Sequence, residues 1–274
     1  MNELESIANS PLRRRAFLAR MGAAGLGVAA ASLLSGCGGG ALSGTGLSGG
    51  GGATGTPFPV QSLPGGNNNL KVLNFALTLE FLEADLYRQA LNRASGLALT
   101  TPLSSTPSSY ALKVGSGSVN NPNAFLYLTQ FAYSEAAHRD FLITVLKSLG
   151  SPAVSANAKG YAFPGGDPGA TLSAIITNLL PLEETGVRAY LGAVPYITDY
   201  QVIGPTAGGI FSTEARHSAV FNDLIGHDPG PTPGQVPGDL AVDPNPPVTV
   251  AANTFERYLA PNTVLSIASQ FIVH

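Results

Sequence analysis

The chain has 274 residues with 14 Lys and Arg against 17 Asp and Glu, so it carries no excess positive charge with which to hold nucleic acid. Charged residues make up only 11% of it, well below the roughly 25% usual in globular domains, because Gly, Ser, Ala, Pro and Asn fill its connecting segments. Cys37 is the single cysteine, which excludes an intrachain disulfide and a cysteine-based metal site.

Residues 1–36 read as an export signal. Arg13-Arg14-Arg15-Ala16-Phe17-Leu18 has the twin-arginine form, and the uncharged stretch Met21 to Leu34 is too short to span a bilayer but suits a signal core. An amphipathic helix is the competing reading. Leu34-Ser35-Gly36-Cys37 resembles the lipobox of bacterial lipoproteins, which implies lipidation at Cys37, anchoring to a membrane, and a place in the cell envelope or periplasm; an ordinary thiol is the alternative. Cleavage there leaves 238 residues with 10 basic and 15 acidic side chains, a domain more acidic than the precursor. Residues 37–69 follow as a Gly/Ser-rich tether, a composition that buries no core.

Four helices are predicted in the segment 70–226. The first runs from Asn69 or Leu70 to Arg93, with Leu73, Ala76, Leu77, Glu80, Ala84, Tyr87 and Leu91 on one stripe and Gly96 marking its end. Residues 95–123 are a long surface insertion, with a short extended piece at 110–114, placed to cover one end of the helices. The second helix follows Asn121-Pro122-Asn123, read as a cap with proline in the first turn, and continues to Leu149 before Gly150. The third spans from Gly169–Thr171 to Val194, and Pro181 should kink it or divide it into two pieces. The fourth begins after Pro205 and ends at Gly226. Residues 227–274 form a C-terminal extension: seven prolines lie in 227–250 and should wrap the surface, a short helical piece occupies 254–259, and 263–271 packs on the bundle.

Each predicted helix carries an acid on its apolar stripe. Glu214 and His217 stand three apart among Ile210, Phe211, Phe221 and Leu224; Glu135 and His138 repeat that spacing among Leu128, Phe131, Leu142 and Val145. Glu80 precedes Tyr87 by seven residues, and Glu183 precedes Tyr190 by the same step. On the third helix Glu183 shares its face with Ile176, Leu179, Leu180, Val187 and Tyr190, whereas the neighbouring Glu184 falls with Thr177, Pro181 and Arg188, off the stripe. On the first helix Glu80 is the better placed acid, with Glu83 one turn on as an alternative ligand or a base. Carboxylates in such positions cost several kcal/mol unless compensated, and Arg139 and Arg216 point about 100° away from the histidines they follow. Divalent metal ions would balance four carboxylates and take two neutral imidazoles as nitrogen ligands.

The order Glu, Glu-x-x-His, Glu, Glu-x-x-His is the ligand pattern of carboxylate-bridged dimetal sites in helix bundles, and through it the chain resembles the ferritin-like superfamily. The stretches 79–87 and 186–193 are more narrowly similar to the branch of plant desiccation-related proteins and bacterial secreted relatives. The resemblance covers roughly residues 70–226. It implies an all-α, antiparallel four-helix bundle holding two divalent ions, iron first and manganese second, on Glu80, Glu135, His138, Glu183, Glu214 and His217. It also implies dioxygen or peroxide as reactants, in ferroxidase, peroxidase or catalase-type turnover, or else a stress-protective, metal-binding role without turnover. Tyr87 and Tyr190 read as donors to the ligating carboxylates, as radical-forming groups, or as plain core aromatics. His227 and His274 read as surface groups. A mineral-storing cage is not expected, given the long loops and the tether.

Overall fold

The computed structural model describes residues 56–201, 203–230, 256 and 258–274. The signal, Cys37, most of the tether and the proline-rich stretch 231–250 lie outside the described residues. Among the described residues there are five α-helices: α1 Asn68–Ala94, α2 Ala124–Ser148, α3 Leu172–Ala193, α4 Ile203–Leu224 and α5 Pro261–Ala268. Among the described residues there is no strand, only two isolated bridges, Gly115 with Thr171 and Tyr161 with Ile272.

The first four helices form the expected bundle, as two hairpin pairs, α1 with α2 and α3 with α4, joined mainly along α1 and α3. Side-chain ties between helix ends establish the directions. Asn74, near the start of α1, donates to the Pro152 carbonyl and accepts from the Val154 N–H just past the end of α2, at 3.1 and 2.7 Å. Arg93, at the end of α1, pairs with Asp167 before α3, and Asn69 Oδ1 accepts the Thr198 N–H just past α3. Neighbours therefore run antiparallel. The interior is aliphatic and aromatic, with Leu73, Leu77, Leu86, Leu91, Leu128, Leu142, Leu146, Ile175, Ile176, Leu179 and Phe221 all within 1% of full burial.

Several boundaries differ from the sequence expectation for local reasons. α1 begins at Asn68 because Asn67 caps it, its side chain accepting the Leu70 N–H at 3.0 Å. The end of the tether also belongs to the core. Phe58 is fully buried, edge-on to Phe75 and Tyr196, and its N–H donates to Asn68 Oδ1 at 2.9 Å; Val60 is buried beside it in sequence. Two apolar residues between prolines were submerged in a Gly/Ser-rich average. Pro122 is outside α2, where Asn121 Oδ1 accepts the Asn123 N–H at 2.9 Å and closes a turn instead of capping the helix.

The insertion 95–123 contains a short 3₁₀ turn, Pro107–Ser109, and no strand at 110–114. The Lys113 and Val114 N–H groups donate to the Ala94 carbonyl, so this segment does cover the end of α1, with Tyr110 and Val119 buried beneath it. Pro181 neither divides nor ends α3, which runs through it as one helix. The acceptor left without a helical donor is the Thr177 carbonyl, and both residues face solvent, where water can replace the bond. α4 starts two residues before Pro205, which occupies its first turn, where no intrahelical N–H is needed. The C-terminal helix is α5, at Pro261–Ala268, not 254–259; Tyr258 to Ala260 are non-helical, and 254, 255 and 257 lie outside the described residues. Val264, Ala268 and Phe271 are buried, so 263–271 packs on α1 and α3 as expected.

Candidate metal centre

Three or four residues per turn bring Glu80 of α1, Glu135 and His138 of α2, Glu183 of α3, and Glu214 and His217 of α4 to the same level of the bundle interior. All six converge. Their donor atoms form two overlapping groups, Glu80, Glu135, His138 and Glu214 on one side, and Glu135, Glu183, Glu214 and His217 on the other, with the atoms of each group within 4.8 Å of one another. Glu135 and Glu214 belong to both groups, which is the arrangement of two bridging carboxylates between two cation positions.

Both histidines turn Nδ1 inward. His138 Nδ1 lies 3.1 Å from Glu135 Oε2, 3.4 Å from Glu214 Oε1 and 3.5 Å from Glu80 Oε2. His217 Nδ1 is 2.8 Å from Glu135 Oε1 and 3.4 Å from Glu183 Oε2. The shorter of these is close yet misaligned for a hydrogen bond, and both atoms are left without one. Phe131 stacks on the His217 ring, with centroids 3.8 Å apart, and holds its orientation. The four glutamates are fully buried and His217 nearly so, whereas the His138 side chain keeps 14% of its surface exposed and forms the solvent-side edge of the cluster.

The seven-residue step to tyrosine has a structural purpose. Tyr190 of α3 donates its hydroxyl to Glu80 Oε1 of α1 at 2.7 Å, and Tyr87 of α1 donates to Glu183 Oε1 of α3. Each phenol thus fixes one oxygen of the opposite helix's glutamate and leaves the other, Glu80 Oε2 or Glu183 Oε2, without a hydrogen bond and facing the cluster. The donor reading of the two tyrosines is the one the geometry supports.

Electrostatics sharpen the problem that the sequence posed. Burial raises the Glu80, Glu183 and Glu214 carboxyls, and the neighbouring acids add to it, taking Glu214 to about 8. Burial pulls the His217 imidazole down, but the carboxylates of Glu183 and Glu135 outweigh it and lift it to about 10; His138 is raised in the same way. Without a cation the cluster therefore holds protons. Even so, six of the nine buried side-chain atoms without a hydrogen-bond partner among the described residues lie in the cluster, namely Glu80 Oε2, Glu135 Oε1, Glu183 Oε2, both oxygens of Glu214, and His217 Nδ1; the other three are Asn92 Oδ1, Ser95 Oγ and Asn222 Oδ1. Each such atom costs about 1–3 kcal/mol, and all six belong to the grouped donors. Oxygen-rich donors with one imidazole on each side fit a pair of divalent cations such as iron or manganese.

Other sequence readings fare unevenly. Glu83 is buried beside the cluster but outside both donor groups. Glu184 is off the cluster, as expected, yet it is buried rather than solvated: Ser218 and Asn222 of α4 donate to its Oε1 at 2.6 and 3.0 Å, and Arg188 lies 3.6 Å from its Oε2. Arg188 is a cation that the stripe analysis overlooked. It is fully buried and also pairs with Glu256 of the C-terminal segment at 3.1 Å. The signal was present in the i, i+4 spacing of Glu184 and Arg188 and in Ser218 and Asn222, polar residues four and eight after Glu214. His227 and His274 are exposed. Among the described residues no helix is long and apolar enough to cross a membrane.

A family model described as a ferritin-like domain matches residues 68–227, from the first turn of α1 to three residues beyond α4. No curated protein matches the chain at a significant level.

Proposed function

Because the chain belongs to the ferritin-like domain family, we propose that it is an exported, lipid-anchored protein in which Glu80, Glu135, His138, Glu183, Glu214 and His217 hold two metal ions for redox handling of a small oxidant. The observation that carries this reading is the pair of donor groups that share Glu135 and Glu214, among whose residues lie six buried atoms without a hydrogen-bond partner. Iron or manganese bound there would supply Lewis acidity and one-electron redox capacity toward dioxygen or peroxide; zinc would supply the first alone.

The protein's own contribution is positional. Tyr87 and Tyr190 hold the terminal carboxylates of Glu183 and Glu80 with one oxygen turned inward. Phe131 fixes the plane of His217. Loading requires the protons at Glu214 and at the His217 imidazole to leave, so uptake releases protons and favours higher pH. Five of the six ligands are sealed from solvent and only the His138 edge is open, which suits a reactant of two or four atoms and disfavours an organic substrate at the centre.

Export and anchoring rest on residues 13–18 and 34–37 alone. Mass spectrometry of the mature N-terminus should find a lipid on Cys37, and Cys37→Ser should release the protein from membranes; retention of the variant would refute the anchor. For the centre, the test is metal content of the purified protein followed by addition of ferrous iron under air. Two ions per chain and oxygen uptake support the proposal. Stoichiometric binding without uptake would instead favour a protective, metal-binding envelope protein, and metal-free protein that takes up none would end both readings.

A further inference from the structure

The clustered acids and histidines leave no room for an organic molecule, but a cleft of about 340 Å³ lies between the α1–α2 hairpin, the insertion and the α2–α3 connection, and none of its lining residues belongs to either donor group. Its size is that of small-molecule sites, which run from about 300 to 1,000 Å³. Ala84 of α1 and Ala136 of α2 leave the groove between the two helices unfilled, and Phe81, Leu103 and Tyr161 give it apolar walls. Nothing in the proposed metal chemistry uses it.

The polar side of the cleft is held in place without a ligand. Asp85 Oδ1 accepts Arg88 Nε at 3.1 Å, and Arg88 Nη1 donates to the Leu99 and Thr101 carbonyls, which ties the insertion to α1. Gln89 donates to both Asp85 Oδ2 and the Tyr161 carbonyl, at 2.9 and 2.8 Å. Asn157 Nδ2 donates to the Gly160 and Val273 carbonyls at 2.7 and 3.0 Å, and the Asn157 N–H to the Tyr161 hydroxyl at 3.2 Å. Walls fixed in this way need little further ordering when a ligand binds.

The bonds left unmade define the ligand. Arg88 pairs with Asp85 and Arg139 with Asp140, so each arginine of the wall already faces an acid, and a ligand with net charge finds no free partner there. Arg139 gives Nε and Nη2 to a single oxygen, Asp140 Oδ1, both at 2.8 Å. Among the described residues that leaves the Arg139 Nη1 donor and the Asp140 Oδ2 acceptor without partners, on neighbouring residues of α2 that both line the cleft. A donor beside an acceptor matches two adjacent hydroxyls, one accepting and one donating. Apolar walls match the C–H face of a ring that carries them.

We propose that this cleft binds one ring of a neutral sugar, with adjacent hydroxyls on Arg139 and Asp140 and the C–H face against Phe81, Leu103 and Tyr161. The site does not depend on the dimetal reading, and its test is separate.

The full chain is titrated by NMR with D-glucose, glycine betaine and acetate as probes. Expected is saturable D-glucose binding with a millimolar Kd, and no saturation by the zwitterion or the anion. Ala136→Leu fills the groove and Asp140→Ala removes the acceptor, so each should weaken D-glucose binding about tenfold or more. Asp140 is exposed, so its variant should keep the fold, which circular dichroism checks, and it decides the matter even where Ala136→Leu misfolds. Wild type without saturable D-glucose binding overturns the proposal, as does unchanged affinity in the folded Asp140→Ala variant. Tighter binding of betaine or acetate than of D-glucose overturns the ligand class. Maltose tells a free sugar from a longer glycan: tighter binding than D-glucose marks the glycan, equal binding the single sugar, and the site stands in both cases.

Discussion

If the centre holds ions as proposed, stripping them with a chelator should lower the thermal stability of the bundle, and the loss should grow as pH rises. In the metal-free protein Glu214 is held up at about 8 against an ordinary 4.5, and His217 at about 10 against 6.5. Both groups bind their proton more tightly folded than unfolded. Their contribution to stability is complete below the unfolded value and is lost as pH climbs through the folded one, between pH 4.5 and 8 for Glu214 and between 6.5 and 10 for His217. Metal-free protein should therefore melt at progressively lower temperature from pH 6 to pH 8. Bound ions displace those protons, so apparent affinity rises by up to about tenfold, or ~1.4 kcal/mol, per pH unit for each proton released. Free metal at a thousand times Kd adds about 4 kcal/mol per site, which for a domain of this size raises Tm by roughly 8–16 °C. Scanning calorimetry in chelator and in excess Mn²⁺ at pH 6, 7 and 8 measures the gap. A gap that is constant or narrows with pH would refute the assignment of the protons to this cluster.

His217→Ala should remove most metal from one of the two positions and leave the fold intact, since Phe221, Ile210 and Leu224 still bury α4; elemental analysis and circular dichroism together check it. Glu184→Gln should leave metal content unchanged but destabilise the protein by about 1–3 kcal/mol, because it removes the charge facing Arg188 and weakens the bonds from Ser218 and Asn222; denaturant melts report it. Tyr87→Phe frees Glu183 Oε1 to rotate and should weaken metal binding about 10- to 100-fold, read by titration with Mn²⁺. Gly192→Ala should detach the C-terminal segment, because the new Cβ would meet the Leu259 carbonyl oxygen at 1.9 Å; faster proteolysis after residue 230 with α1–α4 preserved is the expected result.

The stripes of apolar residues made the proposed ligands legible. A helix that buries Ile176, Leu179 and Tyr190 must also bury Glu183, so periodicity alone selected it over Glu184 as the inward-facing acid at the centre. Periodicity failed where burial comes from the ends and outer faces of the bundle. Arg188 and Glu184 lie off the stripe of the clustered acids, yet Glu184 is held by Ser218 and Asn222 of α4, and Arg188 is reached by Glu256 and the non-helical Leu259, whose N–H donates to the Arg188 carbonyl at 3.1 Å. A contact spanning about seventy residues leaves no periodic trace. Phe58 escaped for a related reason: one aromatic side chain inserted between Phe75 and Tyr196 needs no pattern around it. The turn at Asn121 shows the limit of capping rules, since the same Asn-Pro-Asn string serves a tight turn as readily as a helix start.

The two helical hairpins each carry a Glu, a Tyr seven later and a Glu-x-x-His, and neither is a site by itself. The α1–α2 hairpin contributes Glu80, Glu135 and His138 to one donor group but borrows Glu214; the α3–α4 hairpin contributes Glu183, Glu214 and His217 to the other and borrows Glu135. The phenols cross in the same sense, Tyr87 to Glu183 and Tyr190 to Glu80. Each hairpin's terminal carboxylate is thus oriented by its neighbour, and each cation position needs an oxygen from across the bundle. If the centre binds ions as proposed, ion binding and the docking of the hairpins are one equilibrium: any change that separates α1 from α3 would cost both positions together, and an ion at either position would hold the hairpins in register.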